Sequence, residues 1–124
     1  MNWLRQEKRL AIYLRDGLAC AWCGDSVENG AKMTLDHLTP HSKGGGNGEK
    51  NLVACCHRCN CSRGNRSVKQ FAAGVAEYLN HGVEAKEIES HVRACAKRDL
   101  APHKAEAKEM IARRGSAARV LAGM

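Results

Sequence analysis

The sequence predicts a small α+β fold in which bound metal, more than a large apolar core, holds short strands and helices together. The chain has 124 residues and five aromatic side chains, too few to build a large core. Four of its seven cysteines form two CxxC pairs, and small domains commonly use such pairs as staples. Apolar residues recur at helical spacing near both ends of the chain, while the middle carries two short apolar runs.

The elements of the first half follow from these patterns. An amphipathic helix is predicted over residues 2–15, and short strands are predicted over residues 32–35 and 52–55. A helix should begin near the second cysteine pair and end at Gly64. Residues 40–50 contain four glycines and form a loop, which is either slack or able to follow a DNA backbone.

The second half is predicted to be helical. A first helix starts at residue 68 and ends at residues 80–82, and a second covers residues 84–98. A third begins at Pro102, a residue that suits a first helical turn, and residues 116–124 are predicted to be frayed. We interpret these helices as a cover or a partner-docking unit, with a DNA-reading unit as the alternative. The chain thus divides into a metal-holding core and a helical extension, at residues 1–68 and 69–124.

The cysteine pairs predict a structural zinc site. Cys20 and Cys23 are separated by two residues, as are Cys56 and Cys59, and two such pairs supply tetrahedral thiolate ligands. An odd cysteine count and the absence of a secretory signal favour reduced thiolates over disulfides. Iron in a four-cysteine site stays open. A dithiol redox protein is a poorer alternative, because it would not require a second pair.

The remaining cysteines are assigned to other roles. Cys55 and Cys61 flank the second pair, but neither reproduces the two-residue gap. Cys55 is therefore predicted to point into the core, and Cys95 to occupy a core position on its own helix.

Charge and hydropathy indicate which kinds of partner the protein is expected to bind. The net charge of +7 is spread over both halves of the chain, which favours polyanions such as nucleic acid without giving sequence preference. No run approaches the roughly 18 apolar residues of a membrane span, so we expect a soluble, cytoplasmic protein without a membrane partner.

Residues that could carry out hydrolysis lie between and beside the cysteine pairs. Asp36 and the amide of Asn60 could offer hard oxygens to Mg²⁺, and His37 could take a proton from water. Asn60 directly follows Cys59, so a metal bound there would fix its position. Asn51 could orient the histidine or cap a turn. This set of side chains suits metal-assisted attack on a phosphodiester.

The order of these motifs resembles the HNH endonuclease family, in its zinc-bearing, four-cysteine branch. The resemblance covers roughly residues 10–66 and includes the Arg15-Asp16-Gly17 run, the Asp36-His37 pair, the glycine loop and the second cysteine pair. It implies a ββα-metal fold of the His-Me finger type. It also implies that His37 is the general base, that Asp36 and Asn60 hold one divalent ion, and that Asn51 orients the base.

The resemblance further implies a substrate and products. DNA would be cut, by nicking or through both strands, to leave a 5′-phosphate and a 3′-hydroxyl. The family's last position is often histidine, and an asparagine there (Asn60) favours Mg²⁺ or Mn²⁺ over softer ions. We expect cleavage with weak sequence preference, because one short helix against the minor groove contacts base edges that distinguish the base pairs poorly. Candidate phosphate contacts are basic side chains near the motif, at His41, Lys43, Arg58 and Arg63.

The resemblance also suggests a biological setting. A small nuclease of this kind would suit a mobile element or a bacteriophage, acting in a bacterial host cell with a genome-packaging protein or a second copy of itself. The competing class is a non-catalytic zinc-knuckle module that binds nucleic acid or a partner. Such a module would need the four cysteines but none of Asp36, His37 and Asn60.

Overall fold

The computed structural model describes residues 4–79 and 82–124. Helix α1 (Gln6–Arg15) precedes the first cysteine pair, and strands β1 (Met33–His37) and β2 (Leu52–Cys56) form an antiparallel hairpin. Helix α2 (His57–Arg63) follows β2 directly. The fold is the expected small α+β fold, with two strands and a helix arranged about a four-cysteine cluster, consistent with a ββα-metal core.

Four further helices complete the chain: α3 (Val68–Tyr78), α4 (Ala85–Lys97), α5 (Ala101–Arg114) and α6 (Ala117–Ala122). The starts of α3, α4 and α5 lie within one residue of their predicted positions. The predicted helix start at residue 2, and residues 80 and 81 of the predicted end of α3, lie outside the described residues. None of the helices formed by the described residues is long and apolar enough to cross a membrane.

The prediction of a frayed C-terminus is wrong. Ser116 caps α6 by accepting a hydrogen bond from the Arg119 backbone N–H at 3.2 Å. Ala117 and Val120 of this helix are buried, and the Ala117 N–H donates to the Gln6 side chain at 2.9 Å. The terminus is therefore packed onto the start of α1.

The hairpin separates two clusters of buried side chains. The first, which we call the cysteine core, lies on the side of α3 and α4 and contains Cys20, Ala21, Trp22, Val53, Cys55, Cys56, Cys59, Val68, Phe71, Ala72, Val75, Ile88, Val92, Cys95 and Ala96. The second, the helical core, lies on the side of α1, α5 and α6 and contains Leu10, Ala11, Ile12, Tyr13, Leu35, Leu52, Ala54, Leu100, Ala107, Ala117 and Val120. Both cores draw on residues before and after position 68, and the division into two domains stays a prediction.

Alternate residues of the strands supply the two cores. Val53 and Cys55 point to the cysteine core, while Leu52 and Ala54 point to the helical core. In the register of the hairpin, Asp36 lies opposite Val53 and His37 lies opposite Leu52. Because side chains alternate along a strand, Asp36 and His37 project from opposite faces of the hairpin at its end.

A buried ion pair covers the free edge of β2. The Arg15 guanidinium donates to Asp16 Oδ1 at 2.7 Å and to the Leu52 carbonyl at 2.6 Å. Asp16 Oδ2 accepts the Ala54 N–H at 2.8 Å, so the pair replaces the ladder bonds that another strand would make. The Arg15-Asp16 pair thus fixes the strand that leads into α2.

Candidate active site

The structure brings the four predicted zinc ligands together. The sulfur atoms of Cys20, Cys23, Cys56 and Cys59 all lie within 4.8 Å of one another, and Cys23 Sγ is 3.7 Å from Cys56 Sγ. Tetrahedral Zn²⁺ with bonds near 2.3 Å requires sulfur atoms about 3.8 Å apart, so this donor set fits a structural zinc ion.

Local backbone geometry forms each cysteine pair. Gly24 adopts a left-handed φ of 80° and its N–H donates to the Cys20 carbonyl at 2.9 Å, which turns the first pair around the site. Cys56 is the N-cap of α2, and its sulfur accepts the Cys59 N–H at 3.5 Å. The second pair is therefore built into the start of the helix.

The other cysteines lie elsewhere. Cys55 and Cys95 are fully buried in the cysteine core, as predicted. Cys61 is exposed on α2, with its sulfur 3.4 Å from His57 Nε2.

Trp22, between the cysteines of the first pair, connects the cluster to Asp36. Its indole Nε1–H donates to Asp36 Oδ2 at 3.0 Å, and its ring packs edge-on against Phe71 with centroids 4.9 Å apart. The Arg63 guanidinium lies 5.2 Å from the centre of the same ring. The sequence analysis missed this contact, although a tryptophan inside a CxxC pair of an aromatic-poor chain was a usable signal.

Asp36 is nearly buried, with 6% of its surface exposed, and forms a buried ion pair with Arg63. Burial raises the pKa of the Asp36 carboxyl, while the charge and hydrogen bond of Arg63 and the bond from Trp22 oppose the rise. Both side-chain donors bind Oδ2. Among the residues that the structure describes, no donor binds the other oxygen, Oδ1.

Asn60 lies on the same face of β1 as Asp36. Its amide nitrogen donates to Thr34 Oγ1 at 3.0 Å and to the Leu35 carbonyl at 3.3 Å. Since these bonds use the nitrogen, the carbonyl oxygen is the atom left for a cation. A carboxylate oxygen and an amide oxygen are hard ligands, of the kind that Mg²⁺ and Mn²⁺ prefer.

His37 is held from the loop that follows it. Its Nε2 lies 2.9 Å from Asn47 Oδ1, a contact that the sequence analysis did not predict. An amide oxygen accepts hydrogen bonds, so this contact is a hydrogen bond when Nε2 carries the ring proton. The backbone carbonyl of His37 accepts a bond from Arg63 Nη1 at 2.8 Å.

Asn51 fixes the loop and does not contact the His37 ring through any described bond. Its side chain accepts the Thr39 N–H at 2.8 Å and donates to the carbonyls of Thr39 and Gly46, at 3.1 and 2.9 Å. Asn51 therefore closes a turn that joins Thr39 to Gly46, and its role in orienting His37 stays a prediction.

Gly45 packs inside this loop. A Cβ atom built there would lie 1.8 Å from the Thr39 carbonyl oxygen and 3.0 Å from the Asn51 amide nitrogen. The neighbouring Gly46 has open space instead. The loop therefore requires glycine at one of these two positions because of a close backbone approach.

The predicted phosphate contacts divide into exposed and buried residues. His41, Lys43 and Arg58 are exposed; Lys43 donates to the Asn65 carbonyl and Arg58 to Cys23 Sγ. Arg63 differs from the expectation, because its side chain is 2% exposed and bonds to Asp36 and to the carbonyls of His37, Leu38 and Arg66. Its donors are used inside the protein, so we assign it to positioning Asp36 and not to binding phosphate.

The comparisons with known proteins agree with this geometry. Residues 20–74 match the family model described as HNH endonuclease. The chain is similar to the CRISPR-associated endonuclease Cas9 of Corynebacterium diphtheriae, with 36% identity over 80 residues, which are 64% of this chain and 7% of that protein. It is also similar to Cas9 of Actinomyces naeslundii, with 40% identity over 58 residues, which are 46% of this chain and 5% of that protein. No solved structure matches significantly.

A hairpin and a helix meet at four clustered cysteines, and a carboxylate, an imidazole and an amide lie at the hairpin's end. Residues 20–74 thus resemble an HNH endonuclease domain, a family of hydrolases that act on phosphodiester bonds. The similarity to Cas9 is distant and covers a small part of those long proteins.

Proposed function

We propose that this protein is a metal-dependent DNA endonuclease in which His37 is the general base. The observation that carries the proposal is the end of the hairpin, where Asp36 and Asn60 present oxygen ligands on one face and Asn47 holds the His37 ring on the other. A non-catalytic zinc module would not require this combination.

The residues suggest how the reaction would proceed. The His37 imidazole takes a proton from water, the water oxygen bonds to phosphorus, and the bond from phosphorus to the 3′-oxygen breaks. The products are a 5′-phosphate and a 3′-hydroxyl, whose proton comes from solvent. A divalent ion held by Asp36 and Asn60 would polarise the phosphoryl group and stabilise the departing oxygen.

Four surrounding side chains would support this reaction without touching the substrate, those of Trp22, Arg63, Asn47 and Asn51. Trp22 and Arg63 fix Asp36 through the oxygen Oδ2, which leaves Oδ1 for the ion. Asn51 fixes the loop that carries Asn47, and Asn47 holds the His37 ring through Nε2. His41, Lys43 and Arg58 are exposed cations or bases near the site and are proposed to bind backbone phosphates.

Supercoiled plasmid provides the test. The wild-type protein should convert it to nicked or linear DNA with Mg²⁺ or Mn²⁺ and not with EDTA. His37→Ala should slow cleavage by about 10²–10⁴-fold, the usual contribution of a general base. The matched control is His57→Ala, because His57 is an exposed histidine on α2 whose ring contacts Cys61.

The outcome decides between the two classes of function. Loss of cleavage in His37→Ala, with zinc content and folding unchanged and His57→Ala active, supports the nuclease. A folded, zinc-loaded wild type that binds DNA but leaves plasmid intact with every metal would favour the binding module. The ratio of nicked to linear product would show whether one strand or both are cut. The phage or mobile-element setting, a second copy as partner and the cytoplasmic location stay predictions.

A further inference from the structure

A basic groove lies between α1 and α5, away from the cysteine cluster. One part of it, about 350 Å³, is lined by Leu4, Arg5, Glu7, Lys8 and Lys104. The adjoining part, about 430 Å³, shares Arg5 and Glu7 and adds Lys108 near Ile111. We call this feature the basic groove, defined by the cations Arg5, Lys8, Lys104 and Lys108.

The charge of the groove is strongly positive. Its four cations face one acid in the lining, Glu7, and Lys8 also lies 3.7 Å from Glu49 in the loop. On α5, Glu109 is paired with Arg113 and does not line the groove. Arg5, Lys104 and Lys108 are exposed, so their charges are available to a polyanion.

The groove is connected to the candidate active site through Lys8. The Lys8 ammonium donates to the Asn47 backbone carbonyl at 3.2 Å, and the Asn47 side chain holds His37 Nε2 at 2.9 Å. Asn47 therefore connects the groove cation Lys8 to the candidate general base His37. Polyanion bound beside Lys8 would therefore lie near the candidate site.

We propose that the basic groove binds the backbone phosphates of duplex DNA that flanks the cut, which makes α5 of the helical extension part of the substrate-binding surface. The inference rests on the proposed function. Lys and Arg on one face bind phosphates through charge and carry no base information, so these contacts add affinity without sequence specificity. Under this proposal the C-terminal helices contact DNA through its phosphates and do not read its bases.

Salt-dependent binding tests the groove. In a His37→Ala background without Mg²⁺, fluorescence anisotropy would report binding of a duplex of about 20 bp at several salt concentrations. Lys104→Gln combined with Lys108→Gln should weaken binding and reduce the slope of log K against log salt by up to about 1.8, or 0.9 for each lost phosphate contact. The control combines Lys69→Gln with Lys86→Gln, which removes the same charge from exposed positions on α3 and α4.

The results separate the groove from the nuclease proposal. A reduced slope in the groove variant with an unchanged slope in the control, at equal zinc content and thermal stability, supports the groove. Equal slopes in the two variants would overturn it, while plasmid cleavage by the wild type would still support the nuclease. A wild type that neither binds nor cuts DNA would overturn both proposals.

Discussion

The two faces of the hairpin hold their parts of the candidate site in different ways. On the cysteine side, Asp36 and Asn60 are fixed by buried partners next to four clustered thiolates. On the helical side, His37 is fixed by Asn47, and that residue belongs to a loop whose backbone is held by Lys8 of α1. The candidate metal ligands thus depend on the cysteine cluster, and the candidate base depends on the packing of the loop.

The difference indicates which residues can move. Trp22 and Arg63 are almost completely buried, so the Asp36 carboxylate has little freedom to adjust. Asn47 and the glycines that follow Gly45 are exposed, so fewer buried contacts hold the His37 side of the candidate site than hold Asp36.

Loss of one zinc ligand should have the largest effect. Cys59 is fully buried in the cluster, while Cys61, two positions later on α2, is exposed. Cys59→Ser should release zinc and unfold the cysteine side, because structural zinc sites contribute about 10 kcal/mol or more to folding. Metal analysis and circular dichroism would measure both effects.

Cys61→Ser is the control for this substitution and should retain one zinc ion per chain with unchanged thermal unfolding. A Cys59→Ser protein that keeps both its zinc and its unfolding temperature would show that the cluster does not hold this face together.

On the helical side, we expect a substitution in the loop that carries Asn47 to reduce cleavage. Gly45→Ala places a methyl group against the Thr39 carbonyl, so the loop backbone must shift and Asn51 must lose its bonds. A displacement of a catalytic side chain by about 1 Å can reduce the reaction rate by about 10²-fold. Plasmid cleavage should fall by that factor, with zinc content unchanged.

Gly46→Ala tests whether the close approach is the cause, since a methyl group there meets open space. It should cut plasmid at nearly the wild-type rate. Equal losses in both variants would mean that general loop flexibility, and not the fit of Gly45, positions the base.

The features that could be predicted from the sequence are those formed by residues close together in the chain. The two-residue spacing identifies Cys56 and Cys59 against two flanking cysteines, because it reflects a local geometric need of the metal. Helical periodicity likewise locates α3 and α4. The cysteine spacing and the periodicity can both be recognised because each is contained within a short segment of the chain.

Contacts between distant positions could not be predicted in this way. Arg63 was predicted to contact phosphate, but its side chain pairs with Asp36, a residue 27 positions away in the chain. Asn47 was overlooked because it belongs to a glycine-rich loop with no periodic pattern. Helix α6 was missed because its alanines give a weak apolar stripe, although Ser116 was a recognisable N-cap.

The smallest effect is expected farthest from the site, at Val120 in the helical core. Val120→Ala removes two buried carbon atoms and should lower the free energy of unfolding by roughly 1–2 kcal/mol. Zinc content and cleavage at 25 °C should not change, because Val120 contacts neither face of the site through any described hydrogen bond. Met124→Ala, at a position 41% exposed, is the control and should leave the unfolding temperature unchanged. If Val120→Ala instead reduced cleavage, α6 would have to act on the His37 side through α1, and the two faces would be less independent than their contacts indicate.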